Sequence, residues 1–271
     1  MENLELIKSI LEENKDTSDV FKRNIIKEYL QILVLSFIYS NKKYQNLVFY
    51  GGSCLRHCFG LPRLSEDLDF VDTKGETDLL ELSNDLMGFL KKEAGMEPVV
   101  KIQKFRIYLK FPVLYELNLA KRPESDLLIL KVEIFKEFDF CKSYKTEAIP
   151  VFKYGKSILI RTFDLPTLMA TKIRAILNRK WEKTDKVGKT LAKVKGRDYF
   201  DLMWYLEKGV VPNLKCIENI KNKEDLKEKL MTVVGKIDSR SIKFDLESLI
   251  SDKDFVNNIS KNLKDILKRS L

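Results

Sequence analysis

The sequence has no apolar run long enough to span a bilayer. Its longest candidate, Leu30 to Tyr39, is broken by Gln31 and Ser36, whereas a spanning helix needs about 20 apolar residues. No secretory leader is expected, because Met1 to Asn14 is charged and carries Leu4, Ile7 and Leu11 near helical spacing. The expectation is a soluble, cytoplasmic protein that makes no use of a membrane. Cysteine is scarce, with only Cys54, Cys58, Cys141 and Cys216. In such a chain these are expected as free thiols. Histidine is scarcer, with His57 alone. Cys54, His57 and Cys58 are close together, but no second ligand pair of suitable spacing follows, so they read as core residues and not as a zinc site. No internal repeat or low-complexity linker interrupts the chain.

What is present is a chain of 271 residues, 44% of them hydrophobic, enough for one large or two modest domains with a core. The net charge of +9 comes from 49 basic and 40 acidic residues. Its location is uneven. Between Lys153 and Arg197 there are 13 Lys or Arg against 3 Asp or Glu, and the remainder is nearly neutral. Such a cluster suits a polyanion such as nucleic acid, or else a solvated lysine-rich loop.

The stretch from Leu47 to Phe70 carries the chemistry. Leu47 to Tyr50 reads as a short buried strand, Gly51 and Gly52 follow, and Ser53 opens a short helix that ends by Pro62. Asp67 to Val71 reads as a second strand. Side chains alternate along a strand, so Asp67 and Asp69 share one face while Leu68 and Phe70 face the core. Two carboxylates this close repel unless a cation lies between them. Mg²⁺ suits carboxylate oxygens and leaves room for phosphates. The glycines let backbone approach a ligand, and the helix N-terminus favours phosphate oxygens. Arg56 and Arg63 flank the turn, each either a bidentate phosphate donor or an ion-paired arginine.

The remaining elements read as follows. Val20 to Ser40 and Thr77 to Ala94 are expected as helices. Val99 to Lys110 and Asp126 to Phe138 are expected as long strands, and Glu147 to Arg161 as a hairpin turning at Tyr154-Gly155-Lys156. Asp164 caps a helix with Pro166 in its first turn, and Asp198 to Glu207 forms another. Beyond Pro212, short amphipathic helices are expected at Asn213 to Ile220, Asn222 to Gly235, Asp245 to Ser251 and Asp254 to Arg269.

The string Gly51-Gly52-Ser53-x-x-Arg56 followed by Arg63-Leu64-Ser65-Glu66-Asp67-Leu68-Asp69-Phe70 resembles the nucleotidyltransferases of the polymerase beta superfamily. Within it, the pattern is most similar to the AbiEii/AbiGii toxin family, which includes the MenT toxins of toxin–antitoxin and abortive-infection systems. Lys172 on a helix, followed by Arg197-Asp198-x-x-Asp201-Leu202, is similar to that family's later motifs. The resemblance covers Leu47 to about Gly209. It implies an α/β (α+β) fold. A polymerase beta-like mixed sheet with flanking helices would occupy 1–162, and an all-helical part at 163–271 would contribute Lys172 and Asp198 to the site.

The resemblance also implies an activity, the Mg²⁺-dependent transfer of NMP from an NTP to a nucleic acid. The acceptor would be the 3′ end of tRNA, so that translation stops, and a cognate antitoxin protein is expected. Asp67, Asp69 and Glu133 would hold two Mg²⁺ ions, Glu133 being the candidate third carboxylate, ahead of Glu137 and Asp139, or else an exposed partner of Lys131. Gly52, Ser53, Arg56, Ser65 and Lys172 would bind the nucleotide, and Asp198 would complete the polar site. The long connection from Asn178 to Gly196 departs from the family's brief link. Its Arg179, Lys180, Lys183, Lys186, Lys189 and Lys193 are expected to bind nucleic acid, with Trp181 available for stacking. Two alternatives stay open: a nucleotidyltransferase acting on a protein side chain or small molecule, and a non-catalytic RNA-binding module. Retention of Asp67, Asp69, Glu133 and Lys172 together argues against the second.

Overall fold

A computed structural model of the chain describes residues 2–271 except Lys180, Lys186 and Lys189. The expectations placed on those three lysines lie outside the described residues. The chain divides into two units. The first comprises Met1–Gly60, Leu64–Phe138 and Thr146–Thr162, and the second Leu61–Arg63, Asp139–Lys145 and Phe163–Leu271.

In the first unit the described residues form one mixed sheet. Its strands are β1 (Val48–Tyr50), β2 (Leu68–Val71), β3 (Val99–Gln103), β4 (Arg106–Pro112), β5 (Leu127–Phe135), β6 (Thr146–Lys153) and β7 (Lys156–Phe163), in the order β3-β4-β5-β2-β1-β7-β6. Strand β2 runs parallel to β5 and antiparallel to β1, and β1 runs parallel to β7. Alternation sets the faces of the sheet. Leu128, Leu130, Val132 and Ile134 of β5 are buried on one side, and Lys131 stands on the other. One long strand was expected from Val99 to Lys110. The chain instead turns back between β3 and β4, where Lys104 adopts a φ of 56°. No glycine or asparagine marks that turn.

The helices of this unit are α1 (Glu2–Glu13), α2 (Asp19–Ser40), α3 (Gly51–Phe59) and α4 (Leu79–Ala94). Ser18 caps α2 by accepting from the Phe21 amide at 3.2 Å. Every residue from Tyr29 to Leu35 of α2 is buried, so the helix is enclosed on all sides, packed on β5 and against α1 and α4. Asp78 caps α4, and Gly95 ends it in the left-handed conformation with φ 60°.

Glu28 and Gln31 of α2 anchor a buried polar network in this unit. Glu28 of α2 bonds Arg56 at 2.6 Å, Lys153 at 2.8 Å and the Tyr154 hydroxyl at 3.3 Å. Burial pushes the Glu28 carboxyl up, but Lys153 and Arg56 together hold it below the usual range. Gln31 donates to the Ser65 carbonyl at 2.8 Å and meets His57 Nε2 at 2.9 Å. His57 Nδ1 has no hydrogen-bond partner among the described residues. Burial drives the His57 imidazole down to about 3, with Lys153 and Arg56 assisting against Glu28. The unfolded imidazole titrates near pH ~6.5. Between these values the unfolded chain binds more protons, so stability is expected to fall as pH drops from about 6.5 to 3. Chemical denaturation across that range should show the slope, and His57→Gln should flatten it. An identical pH profile in the variant contradicts a buried neutral imidazole.

The second unit is mainly helical, with α5 (Leu165–Asn178), α6 (Gly196–Glu207), α7 (Lys223–Val234), α8 (Ser239–Leu246) and α9 (Lys253–Ser270). Asp164 caps α5 by accepting from the Thr167 amide at 3.2 Å, with Pro166 in the first turn. Helices α6, α8 and α9 pack on one another. Gly196 lets α6 approach closely, because a Cβ there would lie 2.8 Å from the Ile242 Cα. Val256, Ile259, Leu263 and Leu267 form the buried stripe of α9 at the spacing of three and four that a one-sided helix requires. No described helix is long and apolar enough to cross a membrane.

Four features of this unit differ from the sequence reading. Asn213 to Ile220, expected as a helix, forms only a 3₁₀ turn at Leu214–Cys216, where the Asn213 side chain accepts from the Lys215 amide at 3.2 Å. A two-stranded hairpin, β8 (Lys183–Thr184) with β9 (Thr190–Ala192), lies within the Asn178 to Gly196 connection and packs on α8. The third C-terminal helix starts at Ser239 and not at Asp245. Asp238 is its cap, accepting from the Ser241 amide at 2.8 Å, while Asp245 accepts from the Arg197 amide at 2.9 Å. Cys141 and Cys216, expected as free thiols, are joined as a disulfide across a sequence separation of 75, and Cys54 and Cys58 remain free.

Candidate active site

In the first unit, β1 runs directly into α3. Tyr50 is the N-cap in an extended conformation and supplies no side-chain cap, so no side chain of its own covers the first-turn amides of Gly51, Gly52 and Ser53. That is the arrangement by which a helix N-terminus receives phosphate oxygens. Ser53 is fully buried, and its hydroxyl donates to the Asp67 carbonyl. The hydroxyl thus ties α3 to the segment entering β2, and the amide is the part of Ser53 left for an anion. Ser65 is buried with its carbonyl on Gln31, and Arg56 is committed to Glu28.

The register of the sheet places the carboxylates. Asp69 sits opposite Tyr50 on β1 and opposite Glu133 on β5. Cross-strand partners share a face, so Asp69 and Glu133 are neighbours on the polar side, although Glu133 is only 9% exposed. Arg106 of β4 lies opposite Glu133 in register, and its Nε donates to Glu133 Oε1 at 2.7 Å. Lys131 Nζ lies 3.3 Å from Asp67 Oδ2. Glu133 was expected either at the metal or paired with Lys131. Its partner is Arg106, and Lys131 serves Asp67. Arg106 was missed as a member of the set, because only the β4–β5 register reveals it, and the reach of Lys131 to Asp67 follows from the β2–β5 register.

Among the described residues no three His, Cys, Asp or Glu groups converge as a ready metal cage. The donor chemistry nonetheless fits Mg²⁺, which is usually held by one or two carboxylates together with waters and substrate phosphates. Asp69 and Glu133 supply such a pair of hard oxygen donors on adjacent strands, with Asp67 two residues away.

Gly51 has a φ of 80°, and a Cβ there would collide with Asp69 Oδ2. Gly51→Ala therefore carries about 1–2 kcal/mol of backbone strain and drives the Asp69 carboxylate from its place. The expected outcome is a lower melting temperature and at least a tenfold loss of transfer rate. A variant with the wild-type rate contradicts the placement of Asp69 against the glycine.

In the second unit a separate polar network surrounds the later motifs. Arg63 grips Asp201 with two parallel bonds of 2.6 Å, both side chains being buried. Lys172 Nζ lies 2.8 Å from Asp201 and 2.9 Å from Asp198, and Arg179 bonds the other oxygen of Asp198. Burial pulls the Lys172 ammonium down, but Asp198 and Asp201 outweigh it and hold it above the usual range. Burial pushes Asp198 up, and Lys172, Arg179 and Lys195 bring it down to about 2. Lys172 and Asp198, assigned separate roles from the sequence, are thus ion-pair partners. Of the lysines in the connection, Lys183 lies over the Phe244 ring at 4.6 Å, and Lys193 is exposed with its amide on Ser241 Oγ at 2.9 Å.

No curated protein sequence matches the chain. Two solved structures from Helicobacter pylori are similar. One is JHP933, 17% identical with a TM-score of 0.49, covering 92% of this chain and 93% of that one. The other is described as a candidate nucleotidyltransferase, 16% identical with a TM-score of 0.45, covering 92% of this chain and 96% of that one. The family model of the nucleotidyl transferase AbiEii toxin, of type IV toxin–antitoxin systems, matches residues 36–268. With a match over that span, the chain belongs to the AbiEii nucleotidyltransferase toxin family.

Proposed function

We propose that the chain transfers a nucleoside monophosphate from an NTP to the 3′ end of an RNA, tRNA being the acceptor that the family resemblance implies, and that this arrests translation. The observation that carries the reading is the register of Asp69 with Glu133 beside the N-terminus of α3. Hard oxygen donors stand next to amides suited to phosphate. The transfer is a substitution at the α-phosphorus: the acceptor 3′ oxygen forms a bond to it, the bond to the bridging oxygen breaks, pyrophosphate leaves, and the hydroxyl proton passes to water.

In this reading the first-turn amides of Gly52 and Ser53 bind the terminal phosphates. Asp67, Asp69 and Glu133 are the groups that would hold up to two Mg²⁺ ions. When bound, such ions polarise phosphoryl oxygens and lower the pKa of an attacking hydroxyl. Arg106 occupies Glu133 Oε1, which fixes the carboxylate and leaves Oε2 for a ligand. Lys131 keeps Asp67 neutralised before substrate arrives. Lys172 keeps the role that the family resemblance implies for it, tuned by Asp198. Positioning and electrostatics carry such a reaction, because phosphoryl transfer needs little covalent help. Arg179, Lys183 and Lys193 are the described basic residues assigned to RNA. A cognate antitoxin is the proposed protein partner, and the cytoplasm the proposed site of action.

Incubation with each α-labelled NTP, Mg²⁺ and total bacterial RNA or protein tests this. Label in the tRNA fraction is the expected result. Label in protein or a small molecule moves the acceptor class, and no label in any fraction contradicts the proposal.

A further inference from the structure

We propose that the second unit carries a phosphate-binding pocket formed by Arg179, Lys193 and Lys195, with Trp181 and Tyr199 as its aromatic walls. The proposal rests on the nucleotidyl-transfer reading for the source of the phosphate, which is either the polyphosphate of the NTP or the backbone of the acceptor RNA. These residues line one pocket together with Ala175, Ile176 and Asp198.

The charge balance points to an anion. Arg63, Lys172 and Arg179 already exceed the two carboxylates of Asp198 and Asp201 by one positive charge. Lys195 adds a second, and among the described residues no carboxylate lies within ion-pair distance of it, Asp198 attracting it only from farther away. Asp198 cannot serve it well, because Lys172 takes one carboxylate oxygen and Arg179 the other. A largely buried ammonium without a partner is costly unless a ligand supplies the opposite charge. Burial and then Arg197 pull the Lys195 ammonium down to about 8, the direction expected of excess positive charge. A phosphate group offers both the charge and several acceptor oxygens.

The pocket walls are held in place. The Lys193 amide is bonded to Ser241, and Lys183 sits over Phe244, so the hairpin is fixed to α8. The Tyr199 hydroxyl makes no hydrogen bond among the described residues and is available as a donor. Trp181 is half-buried and offers a face on which a base or ribose attached to the phosphate can rest.

Trp181 also provides the test. The chain has two tryptophans, so Trp204→Phe leaves Trp181 as the sole reporter. Its fluorescence is titrated with tripolyphosphate, with ATP and with a single-stranded RNA trinucleotide, at pH 7 and pH 9. The expected result is a saturable change with at least one of them. It should weaken about tenfold or more in Lys195→Gln, less in the exposed Lys193→Gln, and also on raising the pH through 8. Melting of Lys195→Gln should be no lower than that of its parent, since the substitution removes an unpaired charge. A response to tripolyphosphate and ATP assigns the pocket to the NTP, and a response to RNA alone assigns it to the acceptor. No response to any probe, or equal affinity in Lys195→Gln, overturns the pocket. If transfer of labelled NMP persists in that case, the proposed function survives without it.

Discussion

Asp69→Asn is expected to lower nucleotidyl transfer by roughly three orders of magnitude while leaving the protein folded. Asp69 lies in register with Glu133 on one side and with Tyr50, at the entry to α3, on the other. It therefore stands between the proposed phosphate site and Glu133. An amide of the same shape keeps the packing but loses the charge that the proposed divalent ion would need. Metal ions supply several kcal/mol of transition-state stabilisation, and each ~1.4 kcal/mol is a factor of ten in rate. Like-charge repulsion with Glu133 falls in the variant, so its melting temperature should match or exceed that of the wild type. Single-turnover kinetics with Mg²⁺, run beside thermal melting, checks both halves. A variant within a few-fold of the wild-type rate removes Asp69 from the chemistry.

Arg63→Ala should have the largest effect on stability. Arg63 and Asp201 are both buried and joined by two bonds of 2.6 Å. Removing the guanidinium leaves Asp201 with Lys172, which Asp198 also claims. Breaking a buried ion pair from one side costs about 3–5 kcal/mol. For a unit of this size, that corresponds to a melting shift of roughly 10 °C or more. Arg63→Lys should recover only part of it, because an ammonium cannot make the two-pronged bond. Acid should act on the same network. Asp198 titrates at about 2 when folded, against ~3.9 in an unfolded chain. Its contribution is thus complete above pH ~4 and lost as pH falls toward 2. Differential scanning calorimetry at pH 7 and pH 3 reads both effects. An unchanged melting temperature in Arg63→Ala contradicts the buried pair.

The parts of the site legible in the sequence are those made by neighbours along the chain. Gly51-Gly52-Ser53 and Asp67-x-Asp69 announce a strand, a turn, a helix and an acidic strand, and the structure builds them within one residue or two of the expected bounds. Asp164 with Pro166 marked the start of α5 for the same reason. What needed the fold was pairing at a distance. Glu133 could be nominated by resemblance, but its neighbours follow from the registers of β2 on β5 and β4 on β5, which give Asp69 on one side and Arg106 on the other. Lys131 shares a strand face with Glu133 and was the natural partner by local reasoning, yet it reaches Asp67. The Cys141–Cys216 bond joins positions 75 residues apart and leaves no local pattern. The turn at Lys104 uses a residue with no turn preference. Lys195 was one more basic residue in a basic stretch until the structure surrounded it with Arg179, Arg197 and Asp198.

The central claim is transfer of a nucleoside monophosphate, and the most direct measurement compares two labels. The wild-type protein is incubated with Mg²⁺, RNA and either α-labelled or γ-labelled NTP. The account predicts that the α label enters RNA at its 3′ terminus and the γ label appears in pyrophosphate. Transfer of the γ label to RNA or protein, or release of pyrophosphate with no label in any acceptor, contradicts it.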